Sequence, residues 1–149
     1  MGRTSRTKGK TFERWVAAQF REAYPFLDGV RRSQQGGGAE QSDVTGVPGL
    51  WIECRDGVAD LSRTKLEQAE GDVYRAGSSA IPIAVCHRAR APMDSTQVVL
   101  RLCDLLPILG CNEEPDDIGA VVSMRLVEFL AVARGWVRQG WWDDERQSD

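Results

Sequence analysis

One stretch constrains the fold of this chain more than any other: residues 42–55, Ser-Asp-Val-Thr-Gly-Val-Pro-Gly-Leu-Trp-Ile-Glu-Cys-Arg. It reads as a strand end, a tight turn and a second strand. Proline pre-sets φ and glycine accepts positive φ, so Pro48-Gly49 suits the central pair of a type II turn. The run from Leu50 to Cys54 is short and apolar and is bounded by that turn, which predicts a buried strand. Side chains alternate along a strand, so Trp51, Glu53 and Arg55 share one face while Ile52 and Cys54 share the other. Folding back at the turn brings Asp43 towards Glu53. Burying two like charges is costly unless a cation compensates. A divalent metal is the usual compensation, and oxygen-only ligands point to Mg2+ or Mn2+ rather than Zn2+.

An Asp, a short gap and then Glu-x-Lys at a strand end form the signature of the PD-(D/E)XK nuclease superfamily, which this stretch resembles with one departure. The pattern carries over to Asp43, Glu53 and Arg55, where arginine stands in place of lysine. Further features follow in the order seen in the Holliday junction resolvase branch. Gly9-Lys10-Thr11-Phe12-Glu13-Arg14 resembles the opening of the first helix there, whose glutamate belongs to the active site. A basic segment, Val30-Arg31-Arg32-Ser33, then precedes the Gly36-Gly37-Gly38 loop and Asp43. Gln68 resembles the site-facing glutamine of the second helix, and Lys65 is its neighbour. Some superfamily members supply the active-site lysine from that helix, which makes Lys65 a candidate. His87-Arg88-Ala89-Arg90-Ala91-Pro92, at the end of a later strand, resembles phage resolvase-like proteins.

The elements around these motifs follow from hydrophobic spacing. Phe12, Trp15, Val16, Phe20 and Ala23 recur at helical intervals, which predicts a helix from near Thr11 to just before Pro25. Arg31 and Arg32 point to opposite faces of a first strand, so at most one faces the metal. A second helix is expected over residues 61–76, with Leu66, Ala69, Val73 and Ala76 as its buried stripe and Lys65, Gln68 and Asp72 on one flank. Residues 80–86 read as a buried strand with Pro82 near its start, and residues 97–102 as the last strand. Asp104 is placed to cap a short helix ending near Leu109. Residues 118–134 are expected to be helical with apolar residues almost all round. Such a helix seeks burial on more than one face, which suggests a dimer or partner surface, with Trp136, Trp141 and Trp142 adding apolar area.

Composition closes off other classes. The chain is one domain of 149 residues with 42% hydrophobic and 28% charged residues. No apolar run approaches the ~20 residues of a membrane span, and the basic start lacks the apolar segment of a signal peptide. Cys54, Cys86, Cys103 and Cys111 show no C-x-x-C spacing, which suits reduced thiols in a cytoplasmic protein. His87 is the only histidine, and no nucleophile or zinc cluster is marked beside it. The glycine loop lacks the lysine and spacing of a P-loop. The net charge of −3 hides an asymmetry: residues 1–35 hold eight Lys/Arg against three Asp/Glu, and residues 113–149 hold four against nine. The basic end can therefore meet phosphate while the acidic end faces water or another protein.

The expected organisation is a basic flexible arm (1–10), a nuclease-like core (11–111), a C-terminal helical extension (112–142) and an acidic tail (143–149). The expected fold is α/β, a restriction-endonuclease-like core with a mixed central sheet between the first helix and the Gln68 helix. The resemblance implies a Mg2+-dependent endonuclease (Mn2+ substituting) that cuts branched DNA as a homodimer. Asp43, Glu53, the Cys54 backbone carbonyl and Glu13 would hold the metal. Arg55 or Lys65, with Gln68, would complete the catalytic set, and Lys8, Lys10, Arg31, Arg32, Ser33, Arg88 and Arg90 would contact DNA. Arginine cannot act as a base, because guanidinium stays protonated, but it can neutralise transition-state charge. The alternatives are a DNA-binding adaptor without catalysis on the same fold, and a restriction- or repair-type nuclease for linear duplex.

Overall fold

The expected turn is formed. In the computed structural model, which describes residues 3–34, 41–58 and 63–140, the Leu50 N–H donates to the Val47 carbonyl at 3.3 Å and Gly49 has φ +80°. That is type II geometry, which a side chain at Gly49 would strain. The turn joins β2 (Val44–Thr45) to β3 (Leu50–Val58), antiparallel with Val44 opposite Ile52. On the other edge of β2 lies β1 (Arg31–Arg32), also antiparallel.

From β3 the chain crosses over through helix α2 (Arg63–Arg75) to β4 (Ile81–Arg88), which runs parallel to β3. Parallel neighbours need such a crossover, and a helix supplies it. β5 (Gln97–Arg101) then pairs antiparallel with β4. The sheet is completed by β6 (Val121–Arg125), antiparallel to β5. The fold is α/β, with six strands in the order β1-β2-β3-β4-β5-β6 forming an open mixed sheet. The remaining helices are α1 (Arg3–Ala23), α3 (Leu102–Ile108) and α4 (Leu126–Gln139).

Strand alternation sorts the apolar residues into two layers. Ile52, Cys54, Ile83, Val85, Val98 and Leu100 face the larger core, where they meet Phe12, Val16 and Phe20 of α1 and Phe129, Ala133 and Trp136 of α4. Ala84, Cys86 and Val99 face the other way, onto Leu66 of α2. The sheet is therefore flanked by α1 and α2 on opposite faces, as expected. Tyr24 is fully buried in the larger layer, and its hydroxyl donates to the Leu130 carbonyl at 2.9 Å. This satisfies the one polar atom that so apolar a position would otherwise strand.

Four expectations change. The first helix begins at Arg3, so Lys8 and Lys10 stand on α1 rather than on a flexible arm. The second is the C-terminal third, which is not one helix: residues 121–125 form edge strand β6, and α4 starts only at Leu126. β5 is thus not the last strand. Third, Asp104 does not cap α3; Arg101 holds the cap position without a side-chain hydrogen bond, and Asp104 lies in the first turn. Fourth, most of the apolar face of α4 is covered by the chain's own core. Leu126, Phe129, Leu130, Ala133, Trp136 and Val137 are buried against the chain's own core, leaving Val127 and Val132 exposed. The glycine loop at 36–38, the start of the Gln68 helix at Leu61, Trp141, Trp142 and the tail at 143–149 lie outside the described residues.

Candidate active site

Side chains from four elements interact here: Glu13 of α1, Asp43 just before β2, Glu53 of β3 and Lys65 of α2. Asp43 immediately precedes β2, and its Oδ2 accepts the Cys54 backbone N–H at 2.8 Å. The Asp43 N–H in turn donates to the Ile52 carbonyl at 3.0 Å. This side-chain bond across the hairpin holds the Asp43 carboxylate against the middle of β3. Glu53 projects there from the face opposite Ile52 and Cys54, with a side chain only 4% exposed. Two donors hold it. The Trp51 indole N–H reaches Oε1 at 3.0 Å, and the Lys65 ammonium lies 3.4 Å from Oε2. Trp51 and Glu53 share a face because they are two residues apart on a strand.

The electrostatics follow from that crowding. Burial first and the Asp43 charge second push the Glu53 carboxyl up to about 7, against the opposing pull of Lys65 and Trp51. Glu13, reaching in from α1, is also raised, by burial and then by Asp43. Its Oε2 accepts the Arg32 Nε–H at 2.7 Å. The Cys54 thiol turns into the larger core. Burial raises its pKa well above the ordinary range, with the Asp43, Glu13 and Glu53 charges adding to the shift, so the thiol stays protonated and Cys54 has its backbone carbonyl to offer a metal.

The donor set fits a hard divalent cation. Burial first and the neighbouring Asp43 charge second raise the Glu53 carboxyl to about 7, and a cation between the two carboxylates would relieve their repulsion. The donors are oxygens, which suits Mg2+ or Mn2+. Among the described residues, no three His, Cys, Asp or Glu side chains form a ready-made cage; the third carboxylate, Glu13, is drawn towards Arg32.

Of the two candidate cations, Lys65 stands at the carboxylates and Arg55 does not. Lys65 lies on α2 with a side chain 14% exposed, and its Nζ also donates to Gln68 Oε1 at 3.4 Å. Arg55 is exposed, two residues beyond Glu53 on β3. Gln68 thus reaches the site through Lys65. Asp72, expected on the same flank, is buried and paired with Arg75.

The expected DNA-contacting residues separate into two groups. Arg32 is engaged with Glu13, and the Ser33 hydroxyl donates to the Ser42 carbonyl, so both brace the site. Arg31 is exposed on β1, where it lines an open recess of about 300 Å3 with Ser33, Gln34, Gln41 and Thr45. Lys8 is exposed on α1 at the end of β3, with Nζ 3.9 Å from where a Cβ would stand on Gly57, and Lys10 is half-buried two residues on. Arg88 is exposed at the end of β4, where it registers with Val58, and Arg90 is exposed just beyond the strand.

Two features were not expected from sequence. One is the Trp51 indole as the anchor of Glu53, which was legible only as two residues on one strand face. The other is a pairing of His87 with Asp56 at 2.8 Å, between Nδ1 and Oδ1, at the ends of the two parallel strands. Gly57, at φ +79°, forms the irregularity in β3 just beyond Asp56. Arg90 adopts φ +64°, a left-handed conformation that costs a non-glycine residue about 1–2 kcal/mol. The chain matches no protein-family model, no curated protein and no solved structure.

Proposed function

We propose that this chain is a metal-dependent DNA endonuclease with a restriction-endonuclease-like core, acting on branched DNA in the manner of Holliday junction resolvases. The observation that carries the reading is the convergence of Asp43, Glu53 and Lys65. Two carboxylates on a hairpin and a lysine from the following helix meet within hydrogen-bonding range, while Glu13 lies close enough to feel Asp43. Lys65 takes the place of the strand lysine that Arg55 replaces.

In this reading Asp43, Glu53 and the Cys54 carbonyl hold Mg2+, with Glu13 at the margin. When bound, the ion supplies Lewis acidity to a phosphate oxygen and eases deprotonation of water. The protein's own groups do the rest. Trp51 and Lys65 fix the Glu53 carboxylate in one orientation, which sets the geometry before substrate arrives. The Lys65 ammonium offsets charge that builds on the phosphoryl oxygens. Arg55, further out on the same face, neutralises a flanking phosphate. Lys8, Lys10, Arg31, Arg88 and Arg90 supply the sequence-independent attraction on which DNA affinity rests. A four-way junction needs paired nicks, so the proposed working unit is a homodimer.

The test is cleavage of a labelled four-way junction, with linear duplex as control, in Mg2+ and in Mn2+, for the natural protein and Asp43→Asn. Symmetric nicking of the junction, lost in the variant, supports the reading. Cutting of both substrates makes it a general duplex nuclease. Salt-sensitive junction binding without cutting in either metal overturns the catalytic reading in favour of a DNA-binding adaptor.

A further inference from the structure

His87 is the chain's only histidine, is 8% exposed, and takes no part in the chemistry proposed above. Its ring is held at both nitrogens. Nδ1 lies 2.8 Å from Asp56 Oδ1 and Nε2 lies 2.8 Å from the Ala91 carbonyl oxygen. A carboxylate and a backbone carbonyl can only accept. Both contacts are therefore hydrogen bonds at once only when both ring nitrogens carry a proton and the ring is an imidazolium. A neutral ring would turn a lone pair towards one of the two oxygens. With Nε2 occupied by Ala91, the ring is also unavailable as a general base.

What the ring holds is the turn that follows β4. The Ala91 N–H donates to the Arg88 carbonyl at 3.2 Å, and the Ala91 carbonyl is gripped by His87, so both sides of that residue are fixed. Between them Arg90 is exposed and keeps its positive φ. A strained exposed arginine persists where its surroundings impose it. Asp56 is the charged group in direct contact with the ring. α1 presents the Phe12 ring, 5.9 Å away between centroids, and on β5 the uncharged Gln97 stands opposite Cys86. Among the described residues, the charged groups at this end of the sheet include Lys8 of α1, beside Gly57, the turn's own Arg88 and Arg90, Asp94 just before β5, and the Arg125–Glu128 pair where β6 meets α4.

We propose that His87 is a proton-dependent latch: as an imidazolium it ties the turn at residues 88–91 to Asp56 of β3 and so holds Arg90 in position to grip a DNA phosphate, and the grip loosens when the ring loses its proton. His87 is a positioning residue here, and the proposal rests on the DNA-binding part of the reading above. Loss of the ring proton breaks one of the two hydrogen bonds, so the latch makes DNA affinity fall as pH rises. Asp56→Asn separates this from other titrations. An amide can donate to an unprotonated Nδ1 while Nε2–H still donates to Ala91, so a neutral ring satisfies both bonds and the latch no longer needs its charge.

The experiment follows binding of a labelled four-way junction by fluorescence anisotropy from about pH 6 to about pH 9, with metal chelated so that nothing is cut. The single histidine Cε1–H resonance is followed over the same range by NMR. The natural protein is expected to lose roughly fivefold in affinity in step with that resonance. Asp56→Asn is expected to lack this component and to keep only the part that comes from Glu53. Arg90→Ala is expected to bind more weakly at low pH and to converge with the natural protein at high pH. The same pH slope in the natural protein and Asp56→Asn, or an Arg90→Ala variant equal to the natural protein at low pH, overturns the latch and leaves the endonuclease reading standing. No junction binding at any pH overturns that reading and the latch together.

Discussion

The Lys65 ammonium lies 3.4 Å from Glu53 Oε2, and the two residues come from different elements, a helix and the strand it crosses over from. Arg55, on the same strand face as Glu53, is left at the surface. The cation that balances the buried carboxylate is thus the one carried by α2.

This division predicts unequal effects of two substitutions. Lys65→Met is expected to lower junction cleavage on the order of 10²-fold or more, as losing a positioned transition-state charge does. Arg55→Met is expected to weaken DNA binding and cost roughly tenfold or less, since an exposed charge is screened. Single-turnover rates at saturating protein separate the two; an Arg55 defect as large as that of Lys65 would reverse the assignment.

Asp43→Asn removes the neighbouring charge that lifts Glu53. Cleavage is expected to fall on the order of 10³-fold while junction affinity in chelator stays within a few-fold. Mg2+ titration by calorimetry should show lost metal binding in the same variant.

Glu53 also predicts how stability responds to pH. Its carboxyl is raised from the ordinary 4.5 to about 7 in the folded protein. Between those values the folded state holds a proton that the unfolded chain has lost. This contribution to stability is therefore fully present below about 4.5 and is lost as pH rises through about 7, a change on the order of 3 kcal/mol. In chelator, Tm is expected to decline across that window for the natural protein and to stay level for Glu53→Gln. Mg2+ above pH 7 should raise Tm for the natural protein and have little effect on the variant.

The C-terminal third is expected to be inseparable from the core. Phe129 is fully buried against α1 and the sheet, so Phe129→Ala should cost about 3–5 kcal/mol in denaturant unfolding. Tyr24→Phe removes the hydroxyl's hydrogen bond to the Leu130 carbonyl and should cost about 0.5–1.5 kcal/mol. A chain ending at residue 111 loses β6 and α4 together and is expected to show no cooperative unfolding transition.

Much of the hairpin was legible because its determinants are local. Pro48-Gly49 sets the turn through φ preferences that need no partner, and two-residue alternation puts Trp51, Glu53 and Arg55 on one face. The period of α1 and the crossover through α2 follow in the same way from spacing. Asp43 and Glu53 come together because a tight turn leaves them little choice.

The rest was decided by contacts between residues far apart in the chain. Residues 118–134 are apolar enough to read as one helix. Residues 121–125 are a strand because β5 offers them an unpaired edge, and a sheet edge is not visible in local spacing. The same holds for the charges. Sequence placed Glu13, Arg32, Lys65 and Arg55 within reach of one centre, but which cation meets which carboxylate depends on how α1 and α2 pack on the two faces of the sheet. His87 and Asp56, separated by 31 positions, meet only because β3 and β4 run parallel with their ends in register.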